Sequence, residues 1–213
     1  MPFENNLLTS TDSRPPCVGM TSIHKVEGVE RQRVAAFMAA QFKQHFNATI
    51  KDDTEEVYAI YGDDGGIDVA FGLNREPGRF FARHYVADVE EHVRALYGLG
   101  PARHRLVEFA HLCVRNPRVL CRLVPLLARF LAHSADYLIC TATRELGRFF
   151  VRKGLAPDLL AAACITSLPS SMRTGWGTYY MHEPVVLMGS LRRACARLNV
   201  ATVSGGQEVQ HVA

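Results

Sequence analysis

At 213 residues, 48% of them hydrophobic, the chain has enough apolar mass for one sizeable core, which excludes an intrinsically disordered protein and argues against two independent domains. The formal net charge of +3 comes from 24 Lys and Arg interleaved with 21 Asp and Glu, which gives no nucleic-acid surface and suits an acidic partner only weakly. No run reaches the ~20 apolar residues a membrane-spanning helix needs.

The longest apolar region, Val119 to Leu131, is broken by Arg122, Pro125 and Arg129, so membrane association is not expected. The N-terminus lacks a basic start followed by an apolar run, and no secretory signal is expected. Cys17, Cys113, Cys121, Cys140, Cys164 and Cys195 are scattered without metal-ligand spacing, and most lie in apolar segments. Free thiols, no metal site and a cytoplasmic location are the corresponding expectations.

Residues 1–22 are polar and proline-containing and read as a flexible leader. Val34, Phe37, Met38, Phe42 and Phe46 fall at helical spacing, which predicts an amphipathic helix from Val29 to Phe46, stopped at Asn47. Glu56 to Tyr61 and Ile67 to Leu73 are strand-like runs on either side of the turn Asp63-Asp64-Gly65-Gly66. Phe80 to Val86 reads as a third strand, and Val89 to Tyr97 as a short helix ended by Gly98.

Further along, Arg105 to Val114 predicts a strand, Arg118 to His133 a helix bent at Pro125, and Tyr137 to Thr141 a second apolar strand. Thr143 caps a helix running to Lys153, with Glu145 in its first turn and Gly154 past its end. Strand, helix, strand, helix is a right-handed crossover unit. Ala162 to Leu168, a loop to Gly175, an aromatic stretch from Trp176 and a helix near Leu191 to Leu198 complete a single domain over 23–199, with a flexible tail over 200–213.

Two stretches carry a resemblance. Leu106-Val107-Glu108-Phe109-Ala110-His111-Leu112 and Trp176-Gly177-Thr178-Tyr179-Tyr180-Met181-His182-Glu183-Pro184-Val185-Val186 are similar to the V-E-x-x-x-L and W-G-x-Y-Y-x-H-x-P-x-V patterns of the thermostable hemolysin family. The element order resembles the GCN5-related (GNAT) acyltransferases, and the Glu108 strand looks remotely like one in acyl-homoserine-lactone and N-acyl amino acid synthases. The resemblance implies an α/β fold with a GNAT-like mixed central sheet, splayed central strands and flanking helices. It further implies an amide-forming acyltransferase of specialised metabolite biosynthesis.

Under that reading, Glu108 and His111 are candidate proton acceptors, and Tyr180 or His182 a candidate donor to the leaving thiolate. Strict strand alternation puts Glu108 with Ala110 and Leu112 on one face and His111 with Phe109 and Cys113 on the other, unless a bulge brings both to one cleft. The plainer alternatives are a Glu paired with a neighbouring arginine and a packed His. Trp176, Tyr179, Tyr180 and His182 either line a substrate pocket or staple the last strands to the core. Thr141 is a candidate substrate contact, whereas Thr143 serves as contact or as helix cap.

In the resembled fold the turn after the first central strand carries glycines whose amides cradle pyrophosphate. Here it reads Arg115-Asn116-Pro117-Arg118, without glycine. Arg115, Asn116 and Arg118 join the candidate substrate contacts, and the missing nest favours a phosphopantetheine thioester on an acyl or peptidyl carrier protein over acyl-CoA, with a small-molecule amine as acceptor. No tightly bound cofactor is implied. Arg83, also a candidate contact, and Met181 stand where the resemblance implies acidic residues. The family name implies an alternative, a membrane-active protein. The missing loop implies another, a catalytically silent binding module.

Overall fold

The computed structural model describes residues 22–98, 105–201 and 211–212. The leader expected over 1–22 falls almost wholly outside them, as do Cys17 and most of the expected tail. One eight-stranded sheet organises the chain. Its strands are β1 (His24–Val26), β2 (Glu56–Tyr61), β3 (Ile67–Asn74), β4 (Leu106–Val114), β5 (Tyr137–Ala142), β6 (Asp158–Ala162), β7 (Val185–Ser190) and β8 (His211–Val212). The spatial order is β6-β7-β5-β4-β3-β2-β1-β8, antiparallel except where β4 meets β5 and β1 meets β8. Within the expected tail, His211 and Val212 thus pair with β1.

Helices cover both faces. The first carries α1 (Gly28–Phe46) and α2 (Val89–Tyr97). Val34, Met38 and Phe42 of α1 pack on Val57, Ala59 and Ala70, and Val89 and Val93 of α2 join Tyr137, Ile139 and Met188. The second carries α3 (Leu120–Ala132), α4 (Arg144–Arg152) and α5 (Leu191–Arg197), packed on Val107, Phe109, Cys140 and Leu187. Among the described residues no helix is long and apolar enough to cross a membrane.

Local chemistry sets the boundaries. Asn47 ends α1 in the left-handed conformation (φ 51°), where asparagine is tolerated. Asp88 and Thr143 cap α2 and α4, each accepting an amide hydrogen bond from the third residue on. Pro125 sits inside α3, preceded by a 3₁₀ turn at Pro117–Val119 that takes up the expected start of the helix.

One expected strand is corrected. Phe80 to Val86 forms no strand; Pro77–Arg79 and Phe81–His84 are 3₁₀ turns. Phe80, Ala82 and Val86 are buried under the sheet, so their even spacing reflects burial of a turn rather than a pleat.

The aromatic stretch is held to the end of α1. The Thr178 amide donates to Phe46 O at 2.7 Å, and the Thr49 amide to Gly175 O at 2.6 Å. Gly177 (φ 51°) makes this approach possible, because a Cβ there would lie 2.0 Å from Phe46 O. Gly177→Ala should therefore cost about 2 kcal/mol or more and lower Tm by ~4–8 °C. Thermal unfolding checks this, and an unchanged Tm would contradict the packing described.

Candidate active site

The parallel pair β4 and β5 is joined for only part of its length. Ladder pairing runs from Leu106↔Tyr137 to Phe109↔Cys140 and stops there, although β4 continues to Val114 and β5 to Ala142. On its other side β4 stays paired with β3, but with a slip: Gly72 faces Ala110 and Ala70 faces Cys113. Three steps on β4 thus match two on β3, which is a β-bulge at His111 and Leu112. His111 adopts φ 52°, a conformation that costs a non-glycine residue of order 1 kcal/mol and tends to persist at functional sites.

The bulge changes which side chains share a face. Glu108 pairs with Asn74 on the α1 face, and beyond the bulge Cys113 again reaches that face, its thiol directed at Met38 O. His111 is turned to it as well, its ring edge-on to Phe42 of α1 with centroids 5.7 Å apart. Glu108 and His111, expected opposite one another under strict alternation, lie on one side of the sheet.

Their environments differ. Glu108 is 2% exposed, and both carboxylate oxygens are engaged. Oε2 accepts from Asn74 Nδ2 at 2.9 Å and from the Phe81 amide at 2.8 Å, and Oε1 from the Ala82 amide at 2.8 Å. Burial pushes its pKa up against these three donors. The carboxylate ties the 3₁₀ turn at Phe81–His84 to the sheet. His111 Nδ1, by contrast, is buried without a hydrogen-bond partner among the described residues. Burial lowers the His111 pKa, and the charges of Asp53 and Asp52 oppose that shift. Arg31 of α1 fixes the loop bearing those two acids, bonding Asp52 at 2.9 Å and the carbonyl oxygens of Glu55 and Thr54.

Across the split, Thr141 of β5 presents a second buried polar atom, Oγ1, that lacks a partner among the described residues. The Tyr179 hydroxyl donates to Thr141 O at 3.4 Å. Tyr179 also packs on Phe42, as His111 does, and on Trp176 and Tyr180. Trp176 donates to Met172 O at 2.8 Å and lies against Phe81. The Tyr180 and Tyr85 hydroxyls are hydrogen-bonded to each other. Burial raises both pKa values, Tyr85 far more, while the bond from Tyr85 lowers that of Tyr180. Buried thiols at Cys113 and Cys140 are pushed up to about 12 and are poor nucleophiles.

The remaining candidates lie outside this group. Arg115 locks the β2–β3 turn, donating to Ile67 O at 2.9 Å and pairing with Asp64 at 2.8 Å. Asn116 accepts from the Arg118 amide at 3.0 Å, leaving the Arg118 side chain exposed. Arg83 pairs with Glu90 at 3.1 Å on the surface of α2. Thr143 is the cap of α4. His182 is exposed, with its ring against Phe46. Tyr85, Asn74 and Asp53 are site features that sequence reading missed; Asn74, a polar residue closing an apolar strand, was the available signal.

On the opposite face, a cavity of about 280 Å³ lies between α3, α4 and α5. Phe109 and Leu112 of β4 and Leu138 and Cys140 of β5 line it beside the split. Its lining is predominantly apolar, and nothing in the spacing of these residues distinguishes them from ordinary core positions.

An open mixed sheet whose two parallel central strands separate at a bulge, with helices on both faces, is the fold of the GCN5-related acyltransferases. Similar solved structures include FeeM, an N-acyl amino acid synthase from uncultured soil microbes, with TM-score 0.55 and 8% identity over 82% of this chain and 93% of that one. The AHL synthase LasI matches with TM-score 0.54 and 13% identity, over 87% of this chain and 97% of that one. TofI in an apo form matches with TM-score 0.53 and 13% identity, over 84% and 96%. The thermostable hemolysin family model matches residues 24–195, and the chain belongs to that family. No curated protein sequence gives a significant match.

Glu108→Gln tests the anchoring role. An amide can place only one oxygen among the three donors, so its NH₂ must face one of them. The substitution should cost ~1–3 kcal/mol of stability, read by denaturant unfolding. A variant as stable as wild type would show that these bonds hold nothing in place.

Proposed function

We propose that this protein is an N-acyltransferase that joins an activated acyl group to a small-molecule amine in specialised metabolite biosynthesis. The observation that most supports this is the place of the β4–β5 split, between an apolar cavity on one face and His111, Thr141 and the tyrosines on the other. A thioester lying through the split would direct its acyl chain into the cavity and its carbonyl toward the polar groups.

In the proposed reaction the amine nitrogen attacks the thioester carbonyl carbon and His111 takes the nitrogen-bound proton. The depressed pKa keeps His111 neutral and receptive before reaction, and the Asp53 and Asp52 charges favour the imidazolium once formed. Collapse of the tetrahedral adduct breaks the carbon–sulfur bond. Tyr180, whose pKa the bond with Tyr85 lowers, passes its proton to the departing thiolate and regains one, by way of water, from the His111 imidazolium. Thr141 Oγ1 offers a hydrogen bond to the acyl group. Holding the two reactants together supplies most of the rate, with proton transfer adding ~10²–10⁴-fold. Glu108 acts as a positioning residue, since both its oxygens are occupied.

For the donor we favour a carrier-bound phosphopantetheine thioester. At the turn before α3 the amides of Arg118, Val119 and Leu120 already bond to Asn116 and Pro117, which leaves no open nest there for a pyrophosphate. The exposed Arg118 side chain suits a single phosphodiester.

Two measurements test this reading. His111→Gln should lower turnover by ~10²-fold or more and remove the acid limb of the kcat/KM profile. Because burial depresses this pKa, that limb lies below about pH 6.5, with activity lost as pH falls. Unchanged turnover with a verified substrate would exclude the histidine. In competition, a carrier-bound donor should outpace the same acyl group on coenzyme A at equal concentration; parity would refute the donor assignment.

A further inference from the structure

We propose that the cavity between α3, α4 and α5 is a pocket for a straight acyl chain of medium length, and that Gly189 on β7 sets its depth. This inference rests on the acyltransferase reading and names the substrate class that the same site accepts.

A pocket of about 280 Å³ with a mainly apolar lining, partly open to solvent, is suited to an apolar occupant. Phe109 and Cys140, where β4 and β5 part, belong to its lining. Leu127 of α3 and Phe150 of α4 form part of its walls. Part of its lining is polar: the Tyr97 hydroxyl donates to Asp158 at 2.6 Å, and the Arg193 guanidinium lies over the Tyr97 ring, 5.5 Å from its centroid. A chain entering beside Phe109 and Cys140 would run along an apolar wall toward these polar groups.

Gly189 lines the same pocket. On β7 it shares a face with Leu187, whose side chain joins the same apolar layer. Leu187 pairs with Cys140 at the split, and Gly189 pairs with Leu138, two residues deeper, which is ~7 Å farther along the strand. A Cβ at Gly189 would meet no heavy atom within 4 Å, so a side chain there would project into open cavity. At ~30 Å³ per methylene, about the share of a water molecule in the liquid, the cavity holds a chain of about nine carbons. A leucine at position 189 would occupy the room of about three of them.

The test is binding without chemistry. Straight-chain fatty acids of about four to sixteen carbons displace a fluorescent alkyl probe from the purified full chain. Affinity should rise up to about fourfold per methylene, then flatten near nine carbons. Gly189→Leu should move that break to a chain about three carbons shorter, and the smaller Gly189→Ala by about one, with folding verified by circular dichroism. A wild-type profile without a length break, or an unmoved break in the folded variants, overturns the proposal. The outcome also separates it from the reading beneath it. A length break that Gly189 controls, with no acyl transfer from any donor to pooled amines, keeps the pocket and removes the enzyme. Transfer that is indifferent to chain length and to Gly189 keeps the enzyme and removes the pocket.

Discussion

Strand β4 pairs with β3 from Glu108 to Val114 but with β5 only from Leu106 to Phe109, and most of the site follows from that offset. Backbone polar groups need partners, so parting two central strands requires a compensating arrangement. The extra residue in β4 allows the separation: His111 enters the left-handed region, the strand bends, and its continued pairing with β3 keeps the sheet intact. On the β5 side, the Tyr179 hydroxyl supplies a bond to Thr141 O. A strained histidine and a borrowed tyrosine hydroxyl thus sit where the sheet opens.

Glu108 and His111, three residues apart, are set to different tasks by their surroundings. Three donors converge on Glu108, and hydrogen bonds to a charged group are worth ~1.5–3 kcal/mol each. That is enough to commit the side chain to holding the Phe81–His84 turn despite the cost of burying it. His111 has no such set of donors; what reaches it is the field of Asp53 and Asp52. One residue is consequently a fixed anchor for the aromatic wall, and the other keeps an uncommitted ring nitrogen beside the split.

Elements with a strong local signal were legible in the sequence. The stripe of Val34, Met38 and Phe42 gave α1, the Asp-Gly turn gave the hairpin, and Thr143 and Gly154 bracketed α4. The family signatures at Glu108 and Trp176 pointed to both sides of the site. Misreadings arose where tertiary contacts decide. Phe80 to Val86 alternates because a turn is buried there, and the three-residue β1 is too short to carry a pattern of its own. A bulge formed without glycine leaves no trace in residue type, so the face of His111 could not be assigned. Arg115 and Asn116 were legible as polar turn residues, but only the folded hairpin reveals that they bond to Asp64, Ile67 and Arg118. The cavity was invisible because its lining residues are those of any apolar core.

A donor that passes through the β4–β5 split would set its chain on the α3 face and its carbonyl on the His111 face. A crystal structure with a non-hydrolysable acyl-pantetheine analogue tests this most directly. The alkyl chain should lie beside Phe109, Leu127 and Gly189, with the carbonyl within hydrogen-bonding reach of His111 or Thr141. An alkyl chain lodged instead against Trp176 and Tyr180, or a ligand that leaves the split empty, would contradict it.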